Sequence, residues 1–433
     1  MILILGGGIT GLTCAAALDG EVVLVEAQDA LGGYCRTTKR NGFIWDRAGH
    51  FFHFNNEKVK AFFNSKIPDS SFVKVEKKTS IRLGNDHVVD FPFQKNIHQL
   101  PKDIYIDCLV DLYKAEKSNE EYSSFKEFVY ATVGETISDL FLIPYNQKLY
   151  ACDLDELDKD AMGRFFTKTS FEEVLLNTKN PNNKSYNGEF SYPKEGAEVF
   201  VNVLKSMSEK DTDIRLNTKV VAVDLENKVA TLSDGTTLNY DALINTSPLN
   251  TFCNVINSDY DTKVLTANKV AVFNLGFDKK SLTDQHWIYF PGDEIFYRIG
   301  CYDNILGSDR ASLYIEIGLK SDKTIDKETA LRQVLTDLNK AGIIDSTMNL
   351  VDYEFIIMDP AYVHINQASE KLKEEVKADL AKKDVYTAGR YGSWTYCSIE
   401  DNILEADALS KHISEKYNNV EFIDLFNKGE NNE

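Results

Sequence analysis

Positive charge is what this chain of 433 residues lacks most: 48 Lys and Arg stand against 67 Asp and Glu, a formal net charge of −19. A surface of that sign repels nucleic-acid backbones and anionic headgroups, so neither is an expected partner. Arginine is scarce, limited to Arg36, Arg40, Arg47, Arg82, Arg164, Arg215, Arg298, Arg310, Arg332 and Arg390. An anionic substrate would have to be held by a few placed cations, so each arginine is a candidate. Cysteine is sparse too: the seven Cys include no Cys-x-x-Cys pair. That predicts reduced thiols in a cytoplasmic protein, with no disulfide frame and no metal site. No apolar run approaches the ~20 residues of a membrane span, so no membrane insertion is expected. The apolar start, Met1 to Leu5, runs straight into glycines without a basic segment, and reads as a strand rather than a secretion signal. Nine Pro and 24 Gly give no clean linker, so the units are expected to interleave.

What is present begins with a strand–loop–helix–strand. Ile2–Leu5 is an apolar run, Gly6–Gly11 a glycine loop, Leu12–Leu18 an apolar helix and Val22–Val25 a second strand, the start of a parallel sheet. Helical spacing predicts helices over Ile97–Lys117, Phe125–Leu142, Glu156–Thr167, Ala197–Lys210, Lys327–Lys340 and Asn402–His412. Asn177–Tyr186 reads as a polar, mobile loop and Asn427–Glu433 as a disordered tail. Strands are expected at Val220–Asp224 and Val229–Ser233 as a hairpin, then at Thr237–Tyr240, Ala242–Asn245, across Val270–Ile317, at Val351–Met358 and at Val385–Ala388.

The glycine loop carries the first chemistry. Gly6, Gly8 and Gly11 fit G-x-G-x-x-G between strand and helix: a tight turn, a close approach of backbone to pyrophosphate, and close helix–strand packing. Thr10 lies in the same loop. Glu26, 20 residues after Gly6 and at the end of the second strand, can accept hydrogen bonds from a ribose 2′-OH. Gly32, Gly33 and Arg36 follow, and Gly389-Arg390 ends a late strand before a helix. Three separated contact regions suit an extended FAD better than NAD.

These elements resemble those of FAD-binding flavoproteins that include amine oxidases, desaturases and nucleotide-sugar mutases. Further stretches resemble the UDP-galactopyranose mutase family, in its eukaryotic-type branch: Ala48-Gly49-His50, Phe91-Pro92-Phe93-Gln94-Lys95-Asn96-Ile97, Pro144-Tyr145-Asn146-Gln147-Lys148-Leu149-Tyr150, His286 to Pro291 with Phe296-Tyr297-Arg298, and Gly389 to Tyr396. The resemblance spans roughly residues 1 to 415. It implies an α/β fold: a Rossmann-like FAD-binding domain (1–78, 186–262 and 384–420), an inserted mostly helical domain (79–185), an antiparallel β-sheet substrate domain (263–383) and a polar tail (421–433).

It also implies an activity. The family interconverts pyranose and furanose forms of a nucleotide-diphosphate sugar through a reduced-flavin N5–sugar adduct, with no net redox change. NADH or NADPH would reduce the flavin, and no second dinucleotide motif decides between them. By resemblance, Arg164 and Arg298 clamp the diphosphate and His50 lies beside the flavin as the third candidate catalytic residue. Phe91, Gln94, Asn146, Tyr150, Tyr289, Tyr362 and Tyr396 would meet the substrate. Val220, Gly389, Arg390, Tyr396 and Asp401 would join the glycine loop around the cofactor.

The sequence departs from the family in two places. Phe91 stands where relatives often carry Tyr, and Glu400-Asp401 stands where the eukaryotic type often has Asn-Gln, which would place carboxylates near the sugar or flavin edge. UDP, GDP and dTDP therefore stay open, as does the sugar, with capsule or lipopolysaccharide furanose supply as the implied role. Oligomeric state is open. Two rivals remain: an FAD-dependent amine oxidase or desaturase, and a flavin-binding protein without catalysis.

Overall fold

The computed structural model describes residues 1–84, 87–118, 121–181, 189–209 and 211–426. Its first layer is a five-stranded parallel sheet in the order Thr212–Arg215, Val22–Val25, Ile2–Leu5, Ala242–Asn245, Val385–Thr387. Alternate residues of a strand point to opposite faces, and the 2–5 strand splits accordingly. Ile2 and Ile4 enter the core formed with helices Ile9–Ala17, Glu198–Ser208 and Ile399–Lys416. Leu3 and Leu5 enter a second core with the Val220–Asp224 hairpin and helices Leu249–Val255 and Gln367–Ala381. A strand buried on both faces needs the unbroken apolar run seen at the start of the chain.

The second layer is a seven-stranded sheet ordered Leu350–Met358, Lys269–Phe277, Ser312–Leu319, Arg298–Cys301, Trp287–Tyr289, Thr79–Leu83, His87–Asp90. It is antiparallel except where 79–81 runs parallel to 287–289. Helix Lys327–Lys340 covers one face through Ala330, Leu331, Val334 and Leu338. The other face meets the helical insertion. Thr79–Leu83 and His87–Asp90, expected in the mostly helical unit, are the last two strands of this sheet, with His87–Asp90 at its edge.

Several expected elements change. The 156–167 helix does not form; single turns at Leu154–Glu156 and Gly163–Phe165 replace it. Asp158 accepts the N–H of Asp160, and Gly163 takes φ +47, so the chain turns instead of winding on. The 125–142 helix breaks at Gly134, where φ is +80 and an added Cβ would meet the Asp111 backbone at 2.7 Å. Beyond it a wide turn, Ser138–Leu142, leads into helix Ile143–Tyr150. Pro101 delays the 97–117 helix to Lys102–Lys117. Asn177 lies in helix Phe171–Lys179, not in a loop; the rest of that stretch from 182 to 186 lies outside the described residues. The last helix extends to Ile399–Lys416, capped by Ser398. Residues 421–426, read as tail, are partly built in: Val420–Phe422 pairs with Leu18–Gly20, and Leu425 is buried. Residues 427–433 lie outside the described residues.

Candidate active site

A cavity of about 1140 Å³ runs from the glycine loop, across the join of the two sheets, to Arg298. Its first half is built by backbone. Gly6 has φ +99, and a Cβ there would lie 2.5 Å from Thr246 Oγ1; a Cβ on Gly11 would lie 1.9 Å from the Gly6 carbonyl oxygen. Those two glycines let the turn close and the helix dock. Gly8 differs: a Cβ there would meet nothing within 4 Å, because the position faces the cavity. It precedes the first turn of helix Ile9–Ala17, where no side chain caps the free N–H groups. An uncapped helix start beside open space is a cradle for a pyrophosphate. Glu26 accepts the Gly7 N–H at 2.7 Å and the Gln28 N–H at 2.8 Å, which pins its carboxylate at the cavity wall beside Gly32, Gly33 and Val220. These residues fit a flavin dinucleotide.

Asn402 ties this half together. Its Oδ1 accepts the Arg390 N–H at 2.6 Å and the Thr10 hydroxyl at 3.2 Å, while its Nδ2 donates to the Ser398 carbonyl at 2.7 Å. One side chain thus joins the starts of two helices, a role that no local motif announces. Gly389 (φ +83) packs on Thr10, where a Cβ would come within 2.3 Å of Oγ1.

The second half is built by side chains from the seven-stranded sheet. Register sets Tyr289 opposite Arg298, and Arg298 opposite Glu316. The guanidinium forms a bidentate pair: Nε donates to Oε2 at 3.0 Å, and Nη2 donates to Oε1 at 2.8 Å and Oε2 at 2.6 Å. Glu316 is 1% exposed. Burial alone would lower the Arg298 pKa, but Glu316 and the surrounding tyrosines outweigh it and hold it well above the ordinary value. Tyr289, Tyr362 and Tyr396 stand on the same cavity, their phenols raised by burial, Tyr396 to about 12. Arg390 stacks beneath them, 4.9 Å from the Tyr396 ring centroid and 5.4 Å from that of Tyr362. His50 lines the cavity with Nδ1 buried and without a hydrogen-bond partner; burial lowers its pKa to about 4, so the ring is neutral at pH 7.

Some residues picked from the sequence do not reach the cavity. Gln94 holds the Thr167 carbonyl, and Thr167 is the one on the wall. Asn146 donates to the Leu142 carbonyl at 2.7 Å, and its Oδ1 is buried without a partner. Tyr150 is 1% exposed and sits behind Tyr362 at 5.8 Å. Arg36 is drawn to Asp29, Gln28 and the Gly33 carbonyl. Asp401 accepts the Ser398 N–H at 2.8 Å and an Arg164 N–H at 2.6 Å, so it caps a helix and pairs with an arginine, away from the cavity wall. Glu400 accepts the Asn56 N–H at 2.7 Å, also off that wall. Arg164 is on the cavity rim, its side chain 56% exposed. Phe91 faces the cavity and packs on Tyr289 at 5.4 Å. Glu316 had a signal in the sequence, a lone acid inside the apolar strand Ser312–Leu319. Lys77, also on the wall, had none.

The description "flavin containing amine oxidoreductase" fits residues 9–406, and the chain belongs to that family. Coproporphyrinogen III oxidase of Bacillus subtilis (strain 168) is 21% identical over 66% of this chain and 68% of its own. Protoporphyrinogen oxidase 1, chloroplastic, of Arabidopsis thaliana is 24% identical over 37% of this chain and 33% of its own. Among solved structures, reduced UDP-galactopyranose mutase superposes with a TM-score of 0.87 at 21% identity, covering 99% of this chain and 96% of that one. A fatty acid isomerase from P. acnes has a TM-score of 0.66 at 12% identity, over 96% and 98%. The chain therefore has the flavoenzyme fold expected from its sequence. No helix among the described residues is long and apolar enough to cross a membrane.

Proposed function

We propose that this chain interconverts the pyranose and furanose forms of a nucleotide-diphosphate sugar carried on UDP, GDP or dTDP, with FAD reduced by NADH or NADPH. The observation that carries the reading is Arg298, partly buried and oriented by the buried Glu316 among the phenols of Tyr289, Tyr362 and Tyr396, at the far end of a dinucleotide cavity. When bound and reduced, a flavin supplies a nucleophilic ring nitrogen able to displace diphosphate from an anomeric carbon. The chain's own residues supply the rest. Arg298 receives the charge that grows on the diphosphate oxygens as the sugar–oxygen bond breaks; such preplaced donors act most strongly away from bulk water. Glu316 fixes the plane of the guanidinium. Each phenol offers one hydroxyl to a phosphate or sugar oxygen and an apolar face to the ring. His50, neutral at pH 7, is a hydrogen-bonding neighbour rather than a cation. Arg164, swinging from Asp401 at the rim, would complete the clamp.

The rival is an oxidase, as the names of the porphyrinogen-oxidising relatives suggest. The test is anaerobic incubation of the flavin-loaded protein with UDP-, GDP- and dTDP-sugars, oxidised and reduced, with pyranose and furanose forms separated afterwards. Exchange with reduced flavin alone is the expected result. No exchange with any sugar, together with flavin reduction by an amine or a porphyrinogen, would move the protein to the oxidases.

A further inference from the structure

The cations of the substrate half are not equally available to an anion. Arg298 is matched by Glu316, and Arg164 by Asp401. Arg390 donates to the Cys397 carbonyl at 3.0 Å and is stacked among Tyr362, Tyr391 and Tyr396. Lys77 is different. It lines the same cavity, just before the strand Thr79–Leu83, and its ammonium rests 5.3 Å from the ring centroids of both Phe91 and Trp287. Among the described residues no carboxylate stands within ion-pair distance of it; the charged neighbour it feels is Arg298, which repels it. Burial first and Arg298 second lower its pKa to about 8, and its charge in turn disfavours protonation of His53.

A largely desolvated ammonium with only aromatic faces for company is costly unless an anion arrives. Lys77, Arg298 and Glu316 together carry one net positive charge, and that excess is on Lys77. We infer that Lys77 is the substrate's charge acceptor: it receives a phosphate oxygen of the nucleoside diphosphate, while the neutralised Arg298–Glu316 pair sets direction and geometry. This rests on the nucleotide-sugar reading and sharpens it. The anion is read by a flexible point charge in the short link between strands Phe72–Glu76 and Thr79–Leu83, and the faces of Phe91 and Trp287 hold that charge in place. Tyr289 connects the two devices, as it packs on Phe91 and lies opposite Arg298 in register.

The test uses flavin-loaded wild type, Lys77→Met and Lys77→Arg, with flavin absorbance and melting temperature as folding controls. Calorimetric titration measures UDP, GDP and dTDP, and then the uncharged nucleoside of whichever diphosphate binds wild type. Loss of one charge-assisted contact predicts a Kd for the diphosphate raised roughly 10- to 100-fold in Lys77→Met. The nucleoside should be unaffected, and Lys77→Arg should recover most of the loss. A diphosphate Kd within about 2-fold of wild type in Lys77→Met overturns the inference. So does equal weakening of diphosphate and nucleoside, which marks a packing role. A wild type that binds none of the three diphosphates overturns the nucleotide-sugar reading itself, and is told apart because it involves no variant.

Discussion

The two halves of the cavity are made in different ways. The dinucleotide half is backbone: glycines that permit a turn, a helix start without a cap, a carboxylate fixed by two N–H groups. The substrate half is side chains delivered by strand register, where Tyr289, Arg298 and Glu316 stand in one row across three strands. A backbone site is specified locally and fails by steric exclusion. A register site is specified by pairing between distant strands and fails by leaving a charge unmatched.

The largest effect should come from unmatching a charge. Arg298→Ala leaves Glu316 buried and alone, and it should lower stability by about 3 kcal/mol and turnover by ~100-fold or more. Adding Glu316→Gln should restore much of the melting temperature and none of the turnover, which separates the pair's structural role from its catalytic one. If the double variant recovers activity, the clamp is elsewhere.

The backbone half should break differently at neighbouring glycines. Gly11→Ala forces a Cβ against the Gly6 carbonyl, and overpacking of this kind costs about 1–3 kcal/mol. Gly8→Ala points into open cavity, so its melting temperature without flavin should match wild type while flavin affinity falls. Thermal melts with and without added FAD distinguish the two. Glu26→Gln should weaken flavin by roughly 1 kcal/mol, about 5-fold, since one of two accepted N–H bonds is lost. Flavin retention on dialysis reads this directly.

Smaller again is the response to pH. His50, His53 and His286 each have pKa values lowered to about 4 by burial. The unfolded chain takes up their protons first, so stability is full above pH ~6.5 and falls as pH drops towards 4. Buried Asp46, raised to about 6 by desolvation, acts in the opposite direction, its contribution fading as pH rises through 6. His364 is lowered by burial as well, and Asp303 and Asp407 are raised by it, so four histidines stand against three carboxyls and predict a small net loss on acidification, read from melts between pH 4.5 and 7.5. Smallest in stability is Arg164→Ala, which breaks an exposed pair with Asp401 and should shift stability by less than ~1 kcal/mol, while raising KM if the rim arginine closes on substrate.

The same division explains what the sequence disclosed. The strand, glycine loop and helix over 2–17 and the acid at 26 are local, so spacing revealed them. The five-stranded order could only be outlined, because it depends on which distant runs pair. Resemblance singled out Arg298 and the tyrosines, which the fold brings to one cavity wall, yet not the carboxylate that matches Arg298, because Glu316 meets it only through strand register. It also assigned Asp401 to the cofactor, and the fold instead spends that carboxylate on the Ser398 cap and Arg164. Lys77 was invisible for the same reason: one lysine among 38 acquires meaning only when Phe91 and Trp287, from two other segments, close around it.

The central claim is that this cavity breaks and remakes the bond between a sugar's anomeric carbon and a diphosphate oxygen. A nucleotide-sugar labelled with oxygen-18 in that bridging position tests it most directly. With reduced flavin, the label should scramble into the non-bridging oxygens of the same phosphate, and it should stay in place with oxidised flavin. A label that remains in the bridge under both conditions, while the flavin cycles against an oxidisable donor, would contradict the account.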